Sequence, residues 1–326
     1  MSRRTKYIVF SGIIALLILI FACIARGDGL AFQAENDLLD YEGTDRHYTH
    51  GTGLTYLDHN APQWSWLDDL FGDRKVDASY SIGQLMYTPD DIGESELIED
   101  DRPYAGWLFL GLGRYYSKYE DDGGSEQTFL SLQLGVVGPW SLAQESQKWV
   151  HDMTGSRIPA GWDNQIDNEI GLNLLFQQKN RFPIWREHLD FTSHIGGSLG
   201  NVFTFANAGG SFRLGPNLPQ RFHINKMEPV PRVLDRGTIE RLRLDQSYIY
   251  LDFDGRVVLQ NIFLDGNTFS DSHSVDKEYL VGDIEVGFSV SVYKLDVMMG
   301  YIFRSKEFKE QEKSNKFAAV RLIYNF

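Results

Sequence analysis

Cysteine occurs once, at Cys23, and basic side chains are outnumbered, with 31 Lys and Arg against 45 Asp and Glu. The first scarcity removes disulfides and thiolate metal sites from everything after residue 25. The second leaves a net charge of −14 and no basic stripe to neutralise phosphates, which excludes nucleic acid as a partner. The chain has no G-x-S-x-G elbow, no H-E-x-x-H pair and no Walker sequence, so the usual soluble hydrolase and nucleotide signals are missing. After residue 25 no run is apolar enough for a membrane helix.

What is present begins with a targeting segment. Ser2-Arg3-Arg4-Thr5-Lys6 forms a positive start, IVFSGIIALLILIFACIA fills 8–25, and Cys23-Ile24-Ala25 offers small residues for cleavage. Residues 1–25 read as a signal peptide and 26–326 as one domain. An uncleaved anchor and a lipidated Cys23, after Ile20-Phe21-Ala22, are the alternatives.

Past that segment, period-two patterning recurs. Leu280, Ile284, Val286, Phe288, Val290 and Val292 share one face, and Asp283, Glu285, Ser289 and Ser291 the other. Leu130, Leu132 and Leu134 alternate with Ser131, Gln133 and Gly135; Ile170, Leu172, Leu174 and Phe176 alternate with Glu169, Gly171 and Asn173. The segments run ten residues or more, carry charge mid-strand on the polar face, and end on the aromatic Phe326, which argues for a tilted membrane barrel over a soluble sandwich. Gly (31) and aromatics (13%) are abundant, as apolar surface spread along strands requires. The expected fold is all-β: an antiparallel transmembrane β-barrel of twelve strands, near 30–36, 48–57, 78–87, 104–118, 127–137, 166–179, 188–199, 202–214, 246–261, 278–291, 293–304 and 316–326. With both termini in the periplasm, the connections 37–47, 88–103, 138–165, 262–277 and 305–315 lie outside. The 215–245 connection is long for an inner turn and reads as an inner plug or lip.

The longest outer connection carries one short helix. Pro139 suits a first turn, WSLAQESQKWVHDM follows without Gly or Pro, and Gly155 suits the stop. Gln144, Gln147 and His151 share a face; Leu142, Trp149 and Met153 share another and can meet the barrel rim or lipid. Asn36 and Asp37 end the first strand where Thr49 begins the second, and Asp101 and Arg102 precede the fourth. With His151 they gather candidate polar groups from separate outer loops. An imidazole can serve as general base on water, and Asn36, Asp37 and Thr49 offer oxygens suited to a hard cation such as calcium. Arg102 can hold a phosphate or pair with Asp101. Each residue also has a plainer reading, as a turn, a surface histidine or a salt bridge. His47, His50 and Asp45 lie close in sequence, but polar loops commonly do, and zinc is not expected.

The ordered set Asn36-Asp37, Tyr48-Thr49 with Gly51, Asp101-Arg102-Pro103-Tyr104-Ala105-Gly106-Trp107, Gly138-Pro139, Gln147-x-x-x-His151 and Gly161-Trp162-Asp163-Asn164-Gln165 resembles the outer-membrane lipid A 3′-O-deacylase family. The motifs match over roughly 31–180; beyond that only barrel patterning is shared. The resemblance implies a twelve-stranded barrel in the bacterial outer membrane, with its site facing the outer leaflet. It further implies calcium-assisted removal of the 3′-linked acyloxyacyl chain of lipid A. His151 falls on the family's base, and Asn36, Asp37 and Thr49 on its polar residues near oxyanion and metal. Arg102 and Gln147 are candidates for substrate binding, and Asp37, Thr49 and Asp163 for calcium. Lipid A or lipopolysaccharide, the surrounding outer-membrane lipid and the barrel-assembly machinery are the implied partners. Two positions depart from the pattern: Arg157 stands where a glutamate follows the helix, and the loop before Asp101 reads ELIEDD where a Lys-Arg pair is usual. Competing readings are a non-enzymatic barrel (structural, adhesin or small pore), a deacylase for another acylated lipid, and a soluble periplasmic sandwich on an uncleaved anchor.

Overall fold

The computed structural model describes residues 29–37, 47–222 and 246–326. The apolar N-terminal run with Cys23, residues 38–46 including Asp45, and residues 223–245 lie outside these. Twelve antiparallel strands close into a barrel: β1 (Gly29–Asn36), β2 (His47–Asp58), β3 (Lys75–Thr88), β4 (Ala105–Tyr119), β5 (Ser125–Val137), β6 (Glu169–Trp185), β7 (Leu189–Gly200), β8 (Phe203–Leu214), β9 (Tyr248–Asn261), β10 (Leu280–Val292), β11 (Leu295–Arg304) and β12 (Asn315–Asn325). Each strand pairs with the next, and β12 returns to β1, with Phe32 opposite Leu322. Closure removes every sheet edge. Among the described residues, three short α-helices sit in connections: α1 (Ser65–Asp68), α2 (Ala143–Thr154) and α3 (Ile262–Asp265).

The alternation read from the sequence is the inside–outside alternation of this barrel. On β10, Asp283, Glu285 and Ser289 are buried in the lumen while Ile284, Val286 and Phe288 are exposed on the outer wall. The strand expected over 166–179 extends to Trp185, because Arg181 still points inward, to Asp190 on β7 at 2.6 Å. Pro183 is accommodated by a register shift before Trp185.

The lumen is filled by charge pairs. Arg321 meets Glu285 at 2.5 Å and Glu35 at 3.7 Å, and Tyr48 and Gln33 each donate to Glu35 at 2.8 Å. Arg304 and Arg256 share Asp283. Nearer the other end, Asp190 lies between Arg181 and Arg213. A cavity of about 20 Å³, lined in part by Phe205, Arg256, Val258 and Glu307, has room for a single water.

The two ends differ. One end carries only short turns apart from 59–74 and 215–247. There α1 folds over the lumen: Asp68 accepts from the Trp64 N–H at 2.7 Å, Tyr116 at 2.8 Å and Arg114 at 2.7 Å. Burial alone would raise the Asp68 carboxyl, but these hydrogen bonds hold it below the usual range. The described part of the long connection also turns inward, with Leu218 and Phe222 buried and Arg221 paired to Asp296 at 2.8 Å. That agrees with the inner-plug expectation as far as residue 222. The other end carries the long connections 89–104, 138–168, 262–279 and 305–314, and α2.

Candidate active site

Asn36 and His50 are paired across β1 and β2, His50 and Met86 across β2 and β3, and Met86 and Gly106 across β3 and β4. Cross-strand partners project from the same face of a sheet. On β4 that face carries the exposed Leu110, so these four positions lie on the outer wall of the barrel. The segment leading into α2 presses on this row. A Cβ added at Gly106 would come within 2.2 Å of both the Ala143 Cβ and the Ser141 Oγ. Gln84, two residues below Met86, donates to the Ser141 carbonyl at 2.7 Å.

Helix α2 therefore lies on the outside of the barrel, and it does so on its polar stripe. Ala143, Gln147 and His151 are buried, one helical turn apart, whereas Trp149 (51% exposed) and Met153 (61%) face away. The outward side carries Trp149 and Met153 beside the exposed Asp152 and Thr154, and the two large apolar side chains suit hydrocarbon surroundings. The packing beneath it comes from Met86, Ile92, Tyr104, Ala143 and Trp162, a second cluster apart from the main one. Tyr104 donates to the Ile92 carbonyl at 3.0 Å, and Trp162 donates through Nε1 to Gln147 Oε1 at 2.7 Å. Thus Gln147 and Trp162 join the 155–168 segment to α2, and Tyr104, its ring 4.8 Å from that of Trp162, brings in the 89–104 segment.

The backbone of Arg157 orients His151. Its Nδ1 lies 2.5 Å from the Arg157 carbonyl, which can only accept, so Nδ1 carries the proton and Nε2 is the basic nitrogen. Arg157 acts here through its backbone. Its side chain (65% exposed) pairs with Asp91 at 3.0 Å and covers Gly93. Whatever side chain stands at Arg157, the carbonyl that anchors the imidazole is backbone.

A β-bulge at Thr49 shapes the other side of the site. Tyr48 pairs with Tyr87 and His50 with Met86, so one extra residue stands between neighbours that would otherwise alternate regularly. The bulge turns Tyr48 into the lumen, where its hydroxyl fills the space a Cβ on Gly51 would take. Only glycine allows that approach. Thr49, buried, sets its hydroxyl 2.7 Å from that of Thr88. Asn36 Nδ2 lies 3.5 Å from His50 Nδ1, and His50 Nε2 makes a short contact with the Thr52 hydroxyl. Asp37 is buried at the end of β1.

The sequence-predicted residues thus divide. Asn36 and the chain bearing His151 belong to the outer wall, with Thr49 at its rim. Asp101 and Arg102 belong to the mouth of the lumen. Arg102 is fully buried over the Tyr87 ring at 4.7 Å and reaches Glu307 at 3.3 Å. Asp101 accepts from the Asp90 and Arg102 N–H groups and lies 3.9 Å from His47 Nδ1. Burial pushes its carboxyl above the usual range, only partly offset by those hydrogen bonds. His47 packs against Phe308 on the lumen side, away from His50. Asp163 is exposed on a single turn after Gly161, and no group of three His, Cys, Asp or Glu stands together among the described residues. Sequence reasoning weighed His50 only as a metal ligand beside His47 and did not single out Gln84 or Thr88. The period-two alternation of β2 and β3 carried the signal that His50 and Gln84 share the outward face.

A family model described as outer membrane protein LpxR matches residues 11–326. The chain belongs to the LpxR family. Among solved structures, LpxR from Salmonella typhimurium is similar over 91% of this chain and 100% of that one, with 21% identity and a TM-score of 0.73. The β domain of the Bordetella autotransporter BrkA matches over 92% and 99%, at 11% identity and a TM-score of 0.49. Among curated proteins none matches the chain. As an LpxR-family member with this fold, the chain is an outer-membrane barrel of lipid A deacylase type.

Proposed function

We propose that this barrel hydrolyses the ester holding the 3′-linked acyloxyacyl chain of lipid A, with its site at the outer leaflet. The observation that carries the reading is the pose of His151: proton fixed on Nδ1 by a backbone carbonyl, on the buried polar stripe of a helix laid against the lipid-facing wall. A substrate with its acyl chains in the leaflet would reach this wall sideways, without leaving the membrane. His151 Nε2 takes a proton from water as the oxygen attacks the ester carbonyl. The carbonyl becomes a tetrahedral oxyanion, which the Asn36 amide meets with an N–H. The C–O bond to the sugar then breaks, the imidazolium returns its proton to the 3′ oxygen, and the products are a free 3′-hydroxyl and a carboxylic acid. Mass spectrometry of lipid A from cells expressing the chain tests the reading. Loss of one acyloxyacyl unit is expected, and an unchanged lipid A in the presence of folded barrel removes it. The filled lumen weighs against the pore alternative.

Calcium enters as part of this proposal. Asp37, Thr49 and Thr88 offer oxygens of the right hardness, but calcium takes six to eight ligands and Asp163 points to solvent on its exposed turn. When bound, calcium would supply positive charge to the oxyanion. With so little ligand charge among the described residues, half-activation is expected at about 10⁻⁴–10⁻³ M calcium. Titrating calcium into chelator-treated protein measures this, and full activity in chelator would take calcium out of the scheme.

The seat of α2 is open to a separate test. Gly106→Ala must move the helix, because Ala143 and Ser141 already occupy the Cβ position. A displacement of about 1 Å at the base is expected to slow turnover roughly tenfold to a hundredfold. The barrel should still show its heat-modifiable migration on gels. Unchanged turnover would mean that the helix seat does not set the geometry.

A further inference from the structure

We infer that His50 is a positioning residue for Asn36, an assignment that rests on the deacylase reading above. Asn36 is the last residue of β1, and beyond it the chain leaves the sheet. An asparagine amide has a broad, nearly two-fold torsion at χ2, so at a strand end its nitrogen and oxygen exchange places easily. The exchange would matter here, since an amide turned the wrong way meets an oxyanion with an acceptor.

His50 breaks that symmetry. The Asn36 amide nitrogen can only donate, so His50 Nδ1, 3.5 Å away, accepts. A neutral imidazole that accepts at Nδ1 carries its proton on Nε2, and that nitrogen contacts the Thr52 hydroxyl. The ring is thus held from below by Thr52 and holds Asn36 from the side. Register keeps all three on the outer wall: Asn36 is opposite His50, and Thr52 is the next outward residue along β2. A histidine on a wall where lipid-facing positions are ordinarily apolar is costly unless it serves such a purpose. His50 acts through Asn36 and does not touch the reacting atoms.

The test compares kcat and KM on lipid A for detergent-purified wild type, His50→Gln, His50→Leu, Asn36→Ala and the double variant Asn36→Ala/His50→Leu. Glutamine can accept from Asn36 and donate to Thr52; leucine can do neither. His50→Leu is expected to lower kcat about 10- to 100-fold with KM within about twofold, as an orienting group acting in the transition state requires. His50→Gln should recover to within about threefold of wild type, and the double variant should be no slower than Asn36→Ala alone. Heat-modifiable migration checks the folding of each, with His50→Ala replacing the leucine variant should that one not fold. Wild-type kcat in His50→Leu, a glutamine variant as slow as leucine, or a further loss in the double variant would each overturn the assignment. A folded wild type without lipid A hydrolysis would overturn the deacylase reading and this one with it.

Discussion

His151→Ala is expected to lose about 10²- to 10⁴-fold in ester cleavage, the range for removing a positioned general base, with the barrel still folded. The imidazole sits on a helix outside the barrel wall, anchored to the backbone carbonyl of Arg157. Neither the twelve-strand ladder nor the lumen network passes through it, so truncation should cost chemistry and little structure. Lipid A from cells expressing the wild type should lose one acyloxyacyl unit and that from His151→Ala should retain it, with equal amounts of folded barrel in both. The Arg157 side chain provides a contrast. Arg157→Ala removes an exposed ion pair to Asp91, keeps the carbonyl, and should leave turnover near wild type. Wild-type turnover in His151→Ala would move the base elsewhere and sink the proposed mechanism.

The largest structural effect is expected in the lumen, at Arg321. Its guanidinium is fully buried between Glu285 and Glu35. Replacing Arg321 with Met leaves two carboxylates in the barrel interior without their cation. Removing one partner of a buried pair costs roughly 3–5 kcal/mol, mostly from the stranded charge. The variant should therefore unfold at clearly lower denaturant concentration, followed by loss of heat-modifiable migration. Adding Glu285→Gln and Glu35→Gln should recover much of the loss, since neutral amides strand no charge. Equal midpoints for wild type and Arg321→Met would show that the network fills space without holding the barrel together.

The barrel was legible because a membrane wall imposes a simple rule on each strand. Ile284 must face lipid, so Glu285 must face the lumen, and the sequence writes this residue by residue. The expected end of β6 at 179 was too early because Lys179, Asn180 and Arg181 thin the apolar signal. Arg181 keeps the alternation by pairing with Asp190, a partner on another strand that no window along β6 contains.

The site was legible in its membership and not in its arrangement. Gln147 and His151 are four apart on one helix, which fixes their common face at any position of that helix. That this face is the buried one, with Trp149 and Met153 left outside, depends on what the helix lies against. Asp101 and Arg102 read as lip residues beside Asn36, yet their side chains turn to the lumen while Asn36 turns to the wall.

By itself, then, the sequence determined twelve alternating strands, the up-and-down order of the connections and a helix bearing His151, because periods of 2.0 and 3.6 are local properties of a chain. Only the tertiary structure decided the bulge at Thr49, the tie from Asn36 to His50 and the seat of α2 on Gly106. Each depends on which residue of one strand stands opposite which residue of the next, and that register is settled when the barrel closes.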